Sequence, residues 1–530
     1  MNRAAIWFAI GLVAVIAGAL ALRLPRLGQR PMHCDEANQA FRAAALLETG
    51  VYRYERADHH GPSLCWFTRP ALWLAGAADF AHSQEAHYRI VPVLFSAATI
   101  LLVWLLADAL GRPAALIAGL LLAISPAMVF YGRYFVQETL LTFFTLAAIG
   151  CLWRYTRTRS VLWAAAAGAC FGLMHATKET WILAAVAMTA GALLAMAWTR
   201  WRHGPLQLEW RPLLAPRALV AAAVAALIVA VAFYSSFGRD WRGPIDSVLA
   251  YWNYLHRGSG VGEGGMHVHA WYYYLQLLVA FHPARGFFWS EGLIVALALV
   301  GAVAALSRGG LPQEQRPVGR FLAFYTLVLT ALYAAIPYKT PWCMLSFLQG
   351  MILLAGIGVW ALLSRAPGRA GKAILAVALV IGLVHLGREA CALSFRFSAD
   401  QRNPYVYAHT SPDILNLERT LERVANVAPE GHQLTIHVVT SENYWPLPWY
   451  LRRFDARRVG YWQDAGAWAS QLPNLPQPAV VILTSDVQPA VDAALSGVYN
   501  RQMVYGLRPG VLLSVFVRED LWQKLVGGGR

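Results

Sequence analysis

Apolar residues occur along this chain in long runs rather than in alternation. Windows of about 20 mostly apolar residues, the length a helix needs to cross a hydrocarbon core, fall near 5–22, 88–107, 113–131, 138–153, 161–177, 181–199, 217–237, 286–306, 320–337, 342–363 and 373–391. The pattern predicts a polytopic α-helical integral membrane protein with about eleven transmembrane helices. The first run reads as an uncleaved helix rather than a signal peptide: only Arg3 precedes it, and Arg23-Leu24-Pro25-Arg26 lacks the small residues of a cleavage site. Beyond about residue 395 the long runs stop. Asp413–Ala425 has helical spacing through Leu415, Leu417, Leu421 and Val424, while Gln433–Val439, Ala479–Thr484, Met503–Leu507 and Val511–Val517 read as strands, the last two around Arg508-Pro509-Gly510. The chain thus divides into a membrane domain, 1–395, whose first outer loop, 23–87, holds interfacial helices, and a small extracytoplasmic α/β domain, 396–530.

Composition agrees. Of 530 residues, 58% are hydrophobic and 14% charged, where soluble domains run nearer 45–50% and about 25%. The formal net charge of +15 then reflects loops against anionic lipid, not nucleic acid. Short loops carry Arg154, Arg157 and Arg159; Arg200, Arg202, Arg211 and Arg217; Arg308, Arg316 and Arg320; and Arg365, Arg369 and Lys372. Placing these inside puts the N-terminus in the cytoplasm and the C-terminal domain outside the inner (plasma) membrane of the cell. The long loop 23–87 is also rich in arginine, which translocation of long loops tolerates. Cys34 and Cys65 share that loop and either pair or stay as thiols.

The candidate chemistry lies at the outer helix ends. Asp35 and Glu36 open a segment in which Asp35, Gln39 and Arg42 share a helical face, followed by His59-His60-Gly61-Pro62. Arg133 and Glu138 sit in the turn after span three, Lys178 and Glu179 in the turn after span five, and Lys339 beside Thr340-Pro341-Trp342 in the turn after span nine. Each has a bland reading: first-turn acids favoured by the helix dipole, a lysine–glutamate pair, or a lysine–tryptophan interfacial anchor. Their gathering at one membrane face fits glycosyl transfer from a lipid-linked donor. A carboxylate, Asp35 or Glu36, takes the proton of an acceptor hydroxyl, and cations or a divalent metal ion hold the departing polyprenyl phosphate. His60, Arg133, Lys178 and Lys339 are the candidate phosphate ligands. Glu138, His59 and Glu179 are candidates for positioning substrate, and Glu138 for holding the metal. The chain lacks a sugar-nucleotide DxD motif outside the membrane and a GxxxxGK[ST] loop. The alternative is a flippase for lipid-linked sugars, or an accessory factor to one.

At these residues the sequence resembles the membrane-embedded GT-C glycosyltransferases, and more closely the flippase-activity-associated proteins, related to protein mannosyltransferases and lipid A aminoarabinose transferase. The resemblance rests on Cys34-Asp35-Glu36, His60-Gly61-Pro62, Phe130-Tyr131-Gly132-Arg133-Tyr134 leading to Glu138, and Ala176-Thr177-Lys178-Glu179. Further matches are Trp271-Tyr272-Tyr273-Tyr274, Lys339-Thr340-Pro341-Trp342, Thr410-Ser411-Pro412-Asp413 and Trp445-Pro446-Leu447-Pro448-Trp449-Tyr450. It implies a polyprenyl-phosphate sugar as donor, a glycan, lipid or protein as acceptor, inverting chemistry, and Asp35 as the catalytic carboxylate. Two departures stand out. The related transferases often carry Asp where Glu138 stands, and the aminoarabinose transferase has Lys-Pro-Pro where this chain has His60-Gly61-Pro62.

Overall fold

Each of the eleven apolar stretches contains a helix in the computed structural model, which describes residues 3–57, 60–203, 214–258, 267–283, 286–495 and 498–527. Among the described residues, seven helices are long and apolar enough to cross a membrane: Arg3–Arg23, Glu85–Leu110, Trp181–Arg202, Pro216–Tyr234, Gln313–Ala335, Pro341–Arg365 and Gly368–Arg396. Three more apolar helices, Arg112–Ile124, Val161–His175 and Gly292–Leu306, are shorter, and Glu138–Thr158 has 21 residues. The protein is a multi-pass membrane protein.

Prolines mark several helix starts, where a missing N–H costs nothing. Pro126 divides the predicted 113–131 span: the first helix ends at Ile124, and Ser125 caps Pro126–Tyr131 by accepting the Met128 N–H (3.4 Å). The predicted 286–306 span begins as a helix only at Gly292, after a bridge between Phe281 and Trp289.

The chain packs as two units. The first comprises Met1–Leu27, Thr49–Ala71 and Arg89–Tyr407. Its central helix is Pro341–Arg365, whose apolar window is 89% buried, against 11% for Pro216–Tyr234 and 6% for Gly368–Arg396, which present their sides to lipid. Close approach of backbones builds this centre. A Cβ on Gly301 would lie 1.9 Å from the Leu354 carbonyl oxygen, and one on Gly358 2.1 Å from that of Leu297, so Gly292–Leu306 and Leu345–Arg365 touch main chain to main chain, as small residues permit in bilayers. The segment 238–285, read from sequence as an outer loop, contains the amphipathic helix Arg242–Gly258. Ile245, Val248, Leu249, Trp252 and Leu255 are exposed on it, the surface of an interfacial helix.

The second unit comprises Gly28–Glu48, Leu72–Tyr88 and Ala408–Arg530. It therefore includes two pieces of the segment 23–87, read from sequence as the first outer loop, together with the C-terminal α/β residues. Its sheet has the order β2-β1-β3-β5-β4, with β1 (Ile436–Val439), β2 (Val459–Trp462), β3 (Val480–Thr484), β4 (Tyr499–Arg508) and β5 (Val511–Arg518). β1 runs parallel to β2 and β3, while β5 is antiparallel to β3 and β4. Helix Ile414–Val427 and the other strands lie where the sequence predicts them, and β2 is an addition. The core gathers Val439, Trp468, Val481, Leu483, Val491 and Phe516, with Trp462 packed against it. Trp449 is fully buried elsewhere in the unit, donating to Glu85 Oε1 (3.0 Å) under the Arg452 guanidinium.

Candidate active site

In the second unit, helix Cys34–Thr49 starts with side chains closing its free amides. His33 Nδ1 accepts the Asp35 N–H (3.1 Å), and Glu36 reaches back to accept the His33 N–H (3.1 Å), the reciprocal half of a capping box. The other Glu36 oxygen accepts from Arg30 Nη2 (2.9 Å), and the Glu36 side chain is fully buried. Asp35 points the other way, with half of its side chain exposed. Its neighbours are the Cys34 thiol, 3.6 Å from Oδ1, and His33 Nδ1, 3.8 Å from Oδ2. The two adjacent acids thus have different surroundings: Glu36 is built into the helix start, and Asp35 is open to a reacting partner.

The C-terminal residues fix that helix start. Tyr450 Oη accepts the Met32 N–H (3.0 Å), Thr410 Oγ1 donates to the Met32 carbonyl (2.6 Å), and the His409 ring packs on His33 with centroids 5.1 Å apart. Cys34 is a free thiol. Burial and the neighbouring Asp35 push its pKa well up, against the opposing pull of the Arg508 guanidinium.

In the first unit, the turn between Val161–His175 and Trp181–His203 presents Lys178 and Glu179. Lys178 Nζ donates to Glu138 Oε1, and both side chains are more than nine-tenths buried. Burial alone would depress the Lys178 ammonium, but the Glu138 carboxylate outweighs it and holds the group charged, above the ordinary lysine range. Glu179 Oε2 lies 2.9 Å from His60 Nδ1, and Tyr254 Oη lies 3.1 Å from the same nitrogen. Residues 60–63 are pinned to the turn: the Ser63 N–H donates to Ala176 O (2.9 Å), and Ser63 Oγ lies 2.8 Å from Thr177 Oγ1. A Cβ on Gly61 would fall 2.2 Å from Ala176 O, which explains glycine there. Gly61→Val should force the two loops apart and cost ~1–3 kcal/mol or more, read as a lower Tm of the purified protein.

Lys339 follows helix Arg316–Ala335. Its Nζ donates to the Ile336 carbonyl, and its N–H donates to His267 O (2.8 Å). The residue is 1% exposed, no carboxylate pairs with it among the described residues, and burial lowers its pKa. Arg133 is differently placed. Its Nη1 donates to the carbonyls of Arg23 (2.7 Å) and Pro25 (2.8 Å), and its guanidinium stacks over Phe395. It holds the C-terminal end of helix Arg3–Arg23. His59 lies outside the described residues.

The metal role expected of Glu138 does not fit its surroundings: an ammonium occupies its carboxylate where a divalent ion would sit. Among the described residues, His33, Cys34 and Asp35 alone bring three ligand-type atoms together. There His33 Nδ1 is already spent on the Asp35 N–H and the Cys34 thiol on Asp35.

Two buried carboxylates escaped the sequence reading. Glu291 Oε1 accepts from the Ala127 N–H (2.7 Å) and Tyr405 Oη (2.6 Å), and Oε2 accepts from Ser125 Oγ (2.5 Å). Glu389 accepts from the Ser290 N–H (3.2 Å). Glu291 satisfies the amide end of Pro126–Tyr131, and with it the turn that leads to Arg133 and Glu138. The only sequence signal was an acid just before an apolar run.

Residues 59–234 match the family described as dolichyl-phosphate-mannose-protein mannosyltransferase. The chain is similar in structure to ArnT from Cupriavidus metallidurans in its apo state, with TM-score 0.65 at 16% identity over 97% of this chain and 98% of that one. The fold is GT-C. A second GT-C structure, ArnT from the same organism bound to undecaprenyl phosphate, gives TM-score 0.64 at 16% identity over 95% of this chain and 97% of that one. The oligosaccharyltransferase AglB from Archaeoglobus fulgidus, in complex with an inhibitory peptide and a dolichol-phosphate, gives 0.60 at 11% identity over 98% of this chain and 77% of that one. No curated protein sequence matches the chain significantly.

Proposed function

We propose that the protein is a glycosyltransferase that moves a sugar from a polyprenyl-phosphate donor to a hydroxyl of a glycan, lipid or protein acceptor. The transfer would take place at the extracytoplasmic face of the inner (plasma) membrane. The observation that carries this is Lys339: an ammonium of a 1% exposed residue for which, among the described residues, a carbonyl is the only side-chain acceptor. A buried charge without a counter-charge is costly, and an anionic ligand removes that cost. A phosphate at the head of a membrane lipid is an anion of the right kind, and two proteins of like fold are solved with polyprenyl phosphates bound.

In this reading Asp35 takes the proton of the acceptor hydroxyl as its oxygen attacks the anomeric carbon. Lys339 and His60 hold the phosphate whose negative charge grows as the glycosidic bond breaks. Lys178, already balanced by Glu138, contributes chiefly by fixing the 176–180 turn that carries Glu179. The C-terminal residues hold the start of the helix bearing Asp35.

The test is donor turnover by purified protein in nanodiscs against a panel of polyprenyl-phosphate sugars. Lys339→Met keeps the length of the side chain and removes its charge. It should weaken donor binding by the ~1.5–3 kcal/mol of a hydrogen bond to a charged group, about ten- to a hundredfold. Unchanged donor affinity in this variant would reassign Lys339 to helix capping and remove the main support for the reading.

A further inference from the structure

The most demanding group in the first unit is Glu179. Its residue is 4% exposed, Oε2 faces His60 Nδ1 at 2.9 Å, and Oε1 is buried with no hydrogen-bond partner among the described residues. Leaving a carboxylate oxygen unmet inside a protein is costly, so the pair with His60 is expensive to keep. A simple phosphate ligand would not need it. Lysine holds phosphate as a point charge without a buried acid behind it. A histidine with a carboxylate on one ring nitrogen has another capacity. The carboxylate fixes the ring orientation and supplies the negative charge that an imidazolium needs, leaving Nε2 to give and regain a proton.

We propose that His60 is the acid of the transfer reaction, protonating the departing polyprenyl phosphate, and that Glu179 is its positioning residue. The inference rests on the reading of the protein as a polyprenyl-phosphate sugar transferase. The acceptor oxygen forms its bond to the anomeric carbon, and the bond from that carbon to the phosphate oxygen breaks, its electron pair staying on the phosphate. Asp35 takes the acceptor's proton, and His60 Nε2 gives its proton to the phosphate, which leaves singly protonated. The two groups then reset by exchange with water, which reaches His60 through the 29% of its side chain that is exposed.

The groups around the pair are compatible with this assignment. Tyr254 Oη lies 3.1 Å from His60 Nδ1, and Tyr52 Oη donates to the His60 carbonyl (3.3 Å). Near Glu179, burial holds Tyr54 above the usual tyrosine range, and burial also pushes Tyr251 up to about 12. Tyr234, which donates to the His175 carbonyl (3.0 Å), and His175, 3.1 Å from Tyr251 Oη, complete the set. Tyr54 and Tyr251 thus keep their protons through the range in which a histidine titrates.

The test is the pH dependence of single-turnover transfer at saturating donor, with donor KM measured in parallel. For the wild type, turnover should fall on the alkaline side. His60→Lys retains a positive charge but not an acid matched to the operating pH. It should keep donor KM within about threefold, lose turnover by ~10²–10⁴-fold and lose the alkaline limb. Glu179→Gln should lower turnover with little change in KM, and should have no further effect when combined with His60→Lys. A His60→Lys protein with wild-type turnover and an unchanged pH profile would overturn the proposal and leave His60 as a counter-charge only. That outcome is distinct from failure of the transfer reading, in which the wild type itself turns over no polyprenyl-phosphate sugar and Asp35→Asn changes nothing.

Discussion

Asp35→Asn is expected to leave the melting temperature unchanged and to lower single-turnover transfer by ~10²–10⁴-fold, the usual worth of a positioned general base. The expectation follows from what Asp35 does not do in the fold. Its side chain is half exposed, and the contacts that start its helix run through His33, Glu36 and its own backbone N–H, all of which survive the change. Asparagine keeps the shape and hydrogen-bonding reach of aspartate but cannot accept the acceptor's proton. Glu36→Gln provides the contrast. It removes the charge of a fully buried carboxylate bonded to Arg30 and to the His33 amide, so it should destabilise by ~1–3 kcal/mol and lower the Tm, with turnover of the folded fraction less affected. Near-normal turnover by Asp35→Asn would end the general-base proposal.

That these neighbours separate so cleanly could not be read from the sequence. Two acids in the first turn of a helix are equivalent on propensity, since both answer the dipole. What divides them is Arg30, six residues earlier, and the burial of one helical face. The tether from Met32 to Tyr450 spans 418 positions of sequence, and no local pattern encodes it. The membrane helices were legible because a bilayer imposes a length of about 20 apolar residues regardless of tertiary partners. Their breaks followed from local chemistry, as at Ser125-Pro126, where a cap and a missing N–H coincide. β2 was not legible: Val459–Trp462 has four residues directly after Arg457-Arg458, and only pairing with β1 makes it a strand. The amphipathic helix Arg242–Gly258 has apolar positions interleaved with polar ones and so forms no continuous apolar run. Its helical period was nonetheless present in the sequence.

Arg133 shows the opposite case, in which residue type suggests a ligand and the geometry shows a structural role. A guanidinium in an outer turn reads as a phosphate ligand, yet this one is held by main-chain carbonyls at a helix end. Such carbonyls are themselves unmet acceptors, and Nη1 of this guanidinium is given over to them. Lys339 presents the reverse balance, with one carbonyl for its three donors among the described residues, and so carries the anion-binding argument.

Lys178→Met should be among the most damaging single changes in the protein. It strands the Glu138 carboxylate, 3% exposed, without its cation, and breaking a buried ion pair from one side costs ~3–5 kcal/mol. Glu138→Gln should be costly for the mirror-image reason, because an ammonium 8% exposed loses its counter-charge. The double variant Lys178→Met with Glu138→Gln leaves no buried charge at either position. It should recover much of the lost Tm, giving a coupling energy well above the ~0.5 kcal/mol of independent sites. Donor affinity measured in that double variant then separates scaffold from ligand. Since Glu138 already neutralises Lys178, the folded double variant should lose less donor affinity than Lys339→Met does. An equal or larger loss, with the Tm restored, would mean that Lys178 leaves Glu138 for the phosphate when donor binds, and the pair would be a switch rather than a scaffold.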